Sequence, residues 1–126
     1  MENIFKLQAD ICKVFANETR LEIINLLKDK ETSTHEIMHK TGLSKVNISQ
    51  HINVLKSKGV IVSRREGQQL LYKIANPKII QACTLMREVL VEQHQVRERV
   101  ISRMIEASND ISNNKSVKRK VTAPRK

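Results

Sequence analysis

Apolar residues recur at helical spacing through the first third of the chain. Residues 3–16, NIFKLQADICKVFA, carry two stripes: Ile4, Leu7, Ile11 and Val14, and then Phe5, Ala9, Cys12 and Ala16. A helix apolar on two sides is usually buried on two sides, one against its own domain and one against something else. Asn17 is placed as an N-cap, and 18–28 read as a helix with Leu21, Ile24 and Leu27 on one face. Ser33 and Glu36 have the spacing of a capping box, which opens a short helix with Ile37 and Met38 inward. Gly42 suits the left-handed residue that ends it, Leu43 plugs the core, and Ser44 caps the next helix. That helix sets Ile48, Ile52 and Leu55 at i, i+4 and i+7 and stops at Gly59.

The period then changes. Residues 60–65 and 70–75 are short β-prone segments around Glu66-Gly67-Gln68-Gln69, a hairpin signal. Asn76-Pro77 is a cap followed by proline at the first helical position. Ile79, Ala82, Cys83, Met86 and Leu90 follow at helical spacing; the pattern weakens over 93–95 and returns at Val100, Ile101, Met104 and Ile105. A helix over 77–108 is about 48 Å long at about 1.5 Å per residue. That exceeds the small domain it belongs to, so part of it is expected to pack on a partner chain. The expected organisation is one domain over 1–108 and a disordered basic tail over 109–126, with no internal repeat.

Composition agrees with a helical reading. In 126 residues there are 3 Gly and 2 Pro, too few for a sandwich or barrel, and with one Tyr, two Phe and no Trp the core must be aliphatic. No apolar run is long enough to span a membrane, and MENIFKLQADIC lacks the layout of a signal peptide, so a cytoplasmic protein without membrane contact is expected.

Charge adds the first functional hint. Lys and Arg number 23 against 13 Asp and Glu, a net +10. The segment 115–126, KSVKRKVTAPRK, holds six basic groups and no acid. Within the folded part, 37–65 contains Lys40, Lys45, Lys56, Lys58, Arg64 and Arg65 and no carboxylate. Such a surface attracts phosphate polyanions or anionic lipid. For the tail alone, a solvated charged segment is the simpler reading.

Two short helices joined by a glycine-containing turn, the second with a polar face, describe a helix-turn-helix. At 100° per residue, Val46, Gln50 and Asn53 lie opposite the buried stripe, with Lys45, Asn47, Ser49 and Lys56 flanking. Asn and Gln can hydrogen-bond adenine edges, Val can meet a thymine methyl, and Lys can meet phosphate or guanine. Ser44 joins this set at the helix start. His51 falls near the buried stripe and reads as a packing residue. The hairpin, with Arg64 and Arg65 on one arm and Gln68 and Gln69 at its tip, reads as a wing that supplies phosphate or minor-groove contacts.

The series VFANETRLEIINLL and THEIMHKTGLSKVNISQHINVLKSKGVIVSRREGQQLLYKI resembles the ArsR/SmtB family of winged-helix transcriptional regulators over roughly residues 5–92. The resemblance implies a mainly α fold with a small β-hairpin, a winged helix-turn-helix dimerising through its first and last helices. It also implies a homodimer on a palindromic double-stranded DNA site, released by a ligand or other signal.

The metal sites of that family do not carry over. Its thiolate motif falls on ETSTHEI, 31–37, where both cysteines are absent. Its zinc-type positions fall on Asn76, Lys78, Val89 and Glu92, and only the glutamate matches. HEIMH at 35–39 fits the H-E-x-x-H pattern of zinc hydrolases, but on a two-turn helix with no evident third ligand. A hydrolase is the remote alternative, and His35 with His39 as a surface metal pair a minor one. No cofactor and no metal are expected. Cys12 and Cys83, on the first and last helices, are either packing residues or candidate sensor thiols for oxidants or reactive sulfur. The resulting expectation is a non-enzymatic, DNA-binding repressor; a winged-helix adaptor for a protein partner is the alternative.

Overall fold

The computed structural model describes residues 3–112. Helix α1 (Ile4–Phe15) starts at Asn3, whose side chain accepts a hydrogen bond from the Phe5 amide at 2.7 Å. Helix α2 (Glu18–Leu26) starts in the same way at Asn17, which accepts from the Arg20 amide at 3.0 Å. Next come strand β1 (Thr32–Ser33), helices α3 (Thr34–Thr41) and α4 (Lys45–Ser57), strands β2 (Ile61–Glu66) and β3 (Gln69–Ile74), and helix α5 (Pro77–Ser112).

The turn between α3 and α4 is set by local chemistry. Ser33 caps α3 by accepting from the Glu36 amide at 3.1 Å, and the Glu36 carboxylate lies 3.5 Å from Lys30. Gly42 ends α3 at φ +76°, and its amide donates to the Met38 carbonyl at 2.8 Å. That left-handed backbone costs an L-residue about 1–2 kcal/mol. Thr41 Oγ1 donates to the Ile37 carbonyl and accepts from the Leu43 amide, which tightens the turn. Ser44 then caps α4 through the Asn47 amide at 3.2 Å. At the far end the Val60 amide reaches the Leu55 carbonyl at 2.9 Å over left-handed Gly59, which leads the chain straight into β2.

One aliphatic core joins these elements: Val14, Ile23, Ile24, Leu27, Ile37, Ile48, Ile52, Leu55, Val60, Ile61 and Tyr72. Ile48 and Leu55 are fully buried; burying an aliphatic side chain of this size contributes about 1.5–3 kcal/mol. In α2 the inward residues are Ile23 and Ile24, joined by Leu27 at the C-cap, whereas Leu21 is 38% exposed. Leu21 shares a helical face with Ile24 but sits at its edge, and adjacency to Ile24 brings Ile23 into the core. In α1 only Val14 is buried, and the rest of both apolar stripes is exposed.

The hairpin belongs to a three-stranded antiparallel sheet, ordered β1-β3-β2. Thr32 pairs with Tyr72 and Ser33 with Leu71, so the α3 cap is also a short strand. Two residues are too few to show alternation, so the third strand has no signature in the sequence. Helix α5 begins at Pro77 with Asn76 accepting from the Lys78 amide, and it is continuous to Ser112, four residues past the expected end and thus into the start of the expected tail. The rest of that tail lies outside the described residues. The chain divides after Cys83 into two units within the span that the sequence assigns to one domain. Among the described residues no helix is long and apolar enough to cross a membrane.

Candidate nucleic-acid interface

Helix α4 turns one side to the core and the other to solvent. Ile48, Ile52 and Leu55 are inward, while Lys45, Val46, Asn47, Ser49, Gln50, Asn53 and Lys56 are all exposed, as is Ser44 before them. Val46 is 66% exposed, a branched apolar residue amid amides and lysines. Val54 is also exposed and lies on this outward side, beyond the set read from the sequence. Ser57 does not extend the set, because its hydroxyl donates to the Val54 carbonyl at 2.8 Å.

His51 is half-buried, with Nδ1 3.5 Å from Arg20 Nη1. Arg20 Nε in turn donates to the Val14 carbonyl at 2.7 Å. One side chain therefore links the end of α1, α2 and α4, and His51 serves the packing of α4.

The wing separates two arginines that the sequence treats alike. Alternation puts Arg64 and Arg65 on opposite faces of β2. Arg64 makes a bidentate pair with Glu31, Nε to Oε2 and Nη2 to Oε1 both at 2.8 Å, and Glu66 lies 3.5 Å away. The hydrogen bond from Arg64, backed by its charge, holds the Glu31 carboxyl below the usual carboxylate range; the same pair raises the Arg64 guanidinium further. Arg64 thus braces the wing against the segment before β1. Nothing near Glu31 in sequence announces this partner 33 residues away.

Arg65, opposite Leu70 in the β2–β3 register, faces a cleft of about 340 Å³. Ser33, Thr34, His35, Met38, Lys45, Gln68, Gln69 and Leu70 complete its lining, which contains no carboxylate. In the sequence His35 is half of a metal motif and Gln69 stands at the wing tip; tertiary position brings both to one cleft. His39 is exposed near the other end of α3. Among the described residues no group of three or more His, Cys, Asp or Glu side chains converges as a metal site would require. Cys12 is exposed on α1, and Cys83 is half-buried against the core.

A helix pair with a tight turn, an outward polar second helix and a β-hairpin beside it define a winged helix-turn-helix DNA-binding domain. Residues 17–63 match the family described as bacterial regulatory protein, arsR family. The chain is 36% identical over 90 residues to the HTH-type transcriptional regulator Rv0081 of Mycobacterium tuberculosis, covering 71% of this chain and 79% of that one. The crystal structure of Rv0081 superposes with a TM-score of 0.69 at 34% identity, over 79% of this chain and 99% of that one. The homodimeric winged helix-turn-helix domain Mb0332 of Mycobacterium bovis gives a TM-score of 0.66 at 31% identity, over 71% and 83%. The transcriptional repressor SdpR of Bacillus subtilis is 35% identical over 81 residues, 64% of this chain and 81% of its own. The chain belongs to the ArsR family, and its relatives are transcriptional regulators.

Proposed function

We propose that the chain is a homodimeric transcriptional repressor in which α4 reads a palindromic operator. Val46, Asn47, Gln50 and Asn53 meet base edges in the major groove, and Ser44, Ser49, Lys45 and Lys56 meet backbone phosphates. Arg64, Arg65 and Gln68 carry the wing along the backbone or minor groove. The observation behind this reading is the outward face of α4: amides, the exposed Val46 and Val54 and flanking lysines, with no acid from Ile37 to Arg65.

The dimer reading rests on apolar surface. On α1, Ile4, Phe5, Leu7 and Ile11 are exposed. On α5, Leu85, Met86, Val89, Leu90, Val96 and Val100 are exposed as well. Monomeric proteins seldom leave such runs uncovered, and the Mb0332 relative is homodimeric.

A mobility shift on the promoter region of its own gene, at two salt concentrations, tests the reading. A sequence-specific shift that weakens with salt is expected. Gln50→Ala should relax preference at one base pair, by about 1–3 kcal/mol of discrimination. Salt-insensitive binding, or none, would instead favour a protein-docking role for the winged helix.

A further inference from the structure

We propose that Arg20 is a positioning residue for operator recognition: its guanidinium ties α4 to the end of α1, and so sets the half-site separation that the homodimer accepts. The inference rests on the DNA-binding dimer reading and adds to it a residue that stands apart from the outward face of α4.

Three observations carry it. The first is where the guanidinium ends. Nε donates to the Val14 carbonyl at 2.7 Å, and Nη1 lies 3.5 Å from His51 Nδ1. Val14 is in the last turn of α1, where carbonyls have no partner inside the helix, and Arg20 satisfies this one. A guanidinium is planar and holds its donors in a fixed fork, so contacts at both points fix the distance between their acceptors.

The second is how Arg20 itself is held. Its amide donates to the Asn17 side chain at 3.0 Å, which places it in the first turn of α2. A cation there opposes the helix dipole, and local chemistry favours an acid. What Arg20 gains is made across elements, on α1 and α4.

The third is the pair of surfaces that it joins. Helix α1 packs on α2, and α2 on α4. Earlier in α1 stand Ile4, Phe5, Leu7 and Ile11, the exposed apolar residues assigned to the dimer. On α4, His51 sits between exposed Gln50 and buried Ile52. A change of tilt at His51 therefore moves the base-reading side chains relative to the partner's copy. One added base pair shifts a half-site by about 3.4 Å and turns it by about 35°. A rigid link between α1 and α4 penalises such a change, and a loose one tolerates it.

The test uses the full chain and the operator duplex from the mobility-shift experiment, its centre lengthened or shortened by one base pair. Wild type should prefer the native spacing. Arg20→Gln and His51→Leu should lower that preference about two- to tenfold, the worth of one net hydrogen bond, and keep the order of preference among base changes within a half-site. His51→Gln restores an acceptor for Arg20 and should return the spacing preference. A histidine that serves packing alone would be replaced better by leucine than by glutamine. Unchanged spacing preference, equal losses on every spacing, or His51→Gln behaving as His51→Leu overturns the proposal and leaves the DNA reading intact. So does a wild-type chain that binds duplex without regard to spacing. If Arg20→Gln fails to fold, the two His51 variants decide on the same terms. A wild-type chain that binds no duplex overturns the DNA reading itself, and this proposal with it.

Discussion

Gly42 isolates one physical cause at the turn that orients α4. Its φ is +76°, and a Cβ built there meets nothing within 4 Å, so Gly42→Ala adds strain without crowding. Left-handed strain costs about 1–2 kcal/mol. Restricting the unfolded chain returns about 0.4–1 kcal/mol. The net loss is about 1 kcal/mol, or about 4–8 °C in Tm for a folded unit of this size. Gly42→Asn should lose less, because asparagine tolerates left-handed backbone through its short polar side chain. The assay is thermal unfolding by circular dichroism at one fixed protein concentration, since a dimer's Tm depends on concentration. An asparagine variant less stable than the alanine variant would mean that space, not backbone strain, governs the site, and the reasoning would fail. Well below either Tm, both variants should retain the wild-type order of DNA preference.

Ile48→Ala removes a fully buried side chain from the centre of α4 and should cost about 2–5 kcal/mol, read from urea unfolding as a lower midpoint at unchanged slope. Glu31→Gln tests the Arg64 brace through pH. Because the Glu31 carboxyl is held below its ordinary value, its contribution is fully present above the unfolded carboxylate range near about pH 4.3 and is lost as pH falls through the lowered folded value. The Tm gap between wild type and Glu31→Gln should therefore hold from neutral pH to about 5 and close in stronger acid; a gap that widens on acidification contradicts the brace. Leu7→Glu and Val96→Glu, on exposed apolar faces of α1 and α5, should shift sedimentation from dimer towards monomer with helical content retained, and an unchanged dimer would place the interface elsewhere.

Much of the architecture is written locally. Asn17, Ser33 and Ser44 each cap the next helix because a short polar side chain before an apolar period can satisfy an amide two or three residues on. The spacing of Ile48, Ile52 and Leu55 determines which side of α4 faces the core, and hence which residues face solvent. Gly42 and the change of period after Gly59 mark the turn and the wing. Each of these signals acts over a few residues, so a single chain read in order is enough to find it. The charge asymmetry of 37–65 is local in the same sense, and it pointed to a phosphate-bearing partner.

Contacts between distant residues decided the rest. Pairing of Thr32 with Tyr72 made a third strand from the α3 cap, because the open edge of β3 needed backbone partners. Glu31 reaches Arg64 across 33 positions, while Arg65 lies on the other face of β2. The same fold brought His35 and Lys45 beside Arg65, although 30 and 20 positions separate them from it in the sequence. The sequence by itself determined the helix with an outward polar face and the side it presents. Only the tertiary structure decided which cations stand together without an acid among them, because that depends on ion pairing across the sheet rather than on any spacing along the chain.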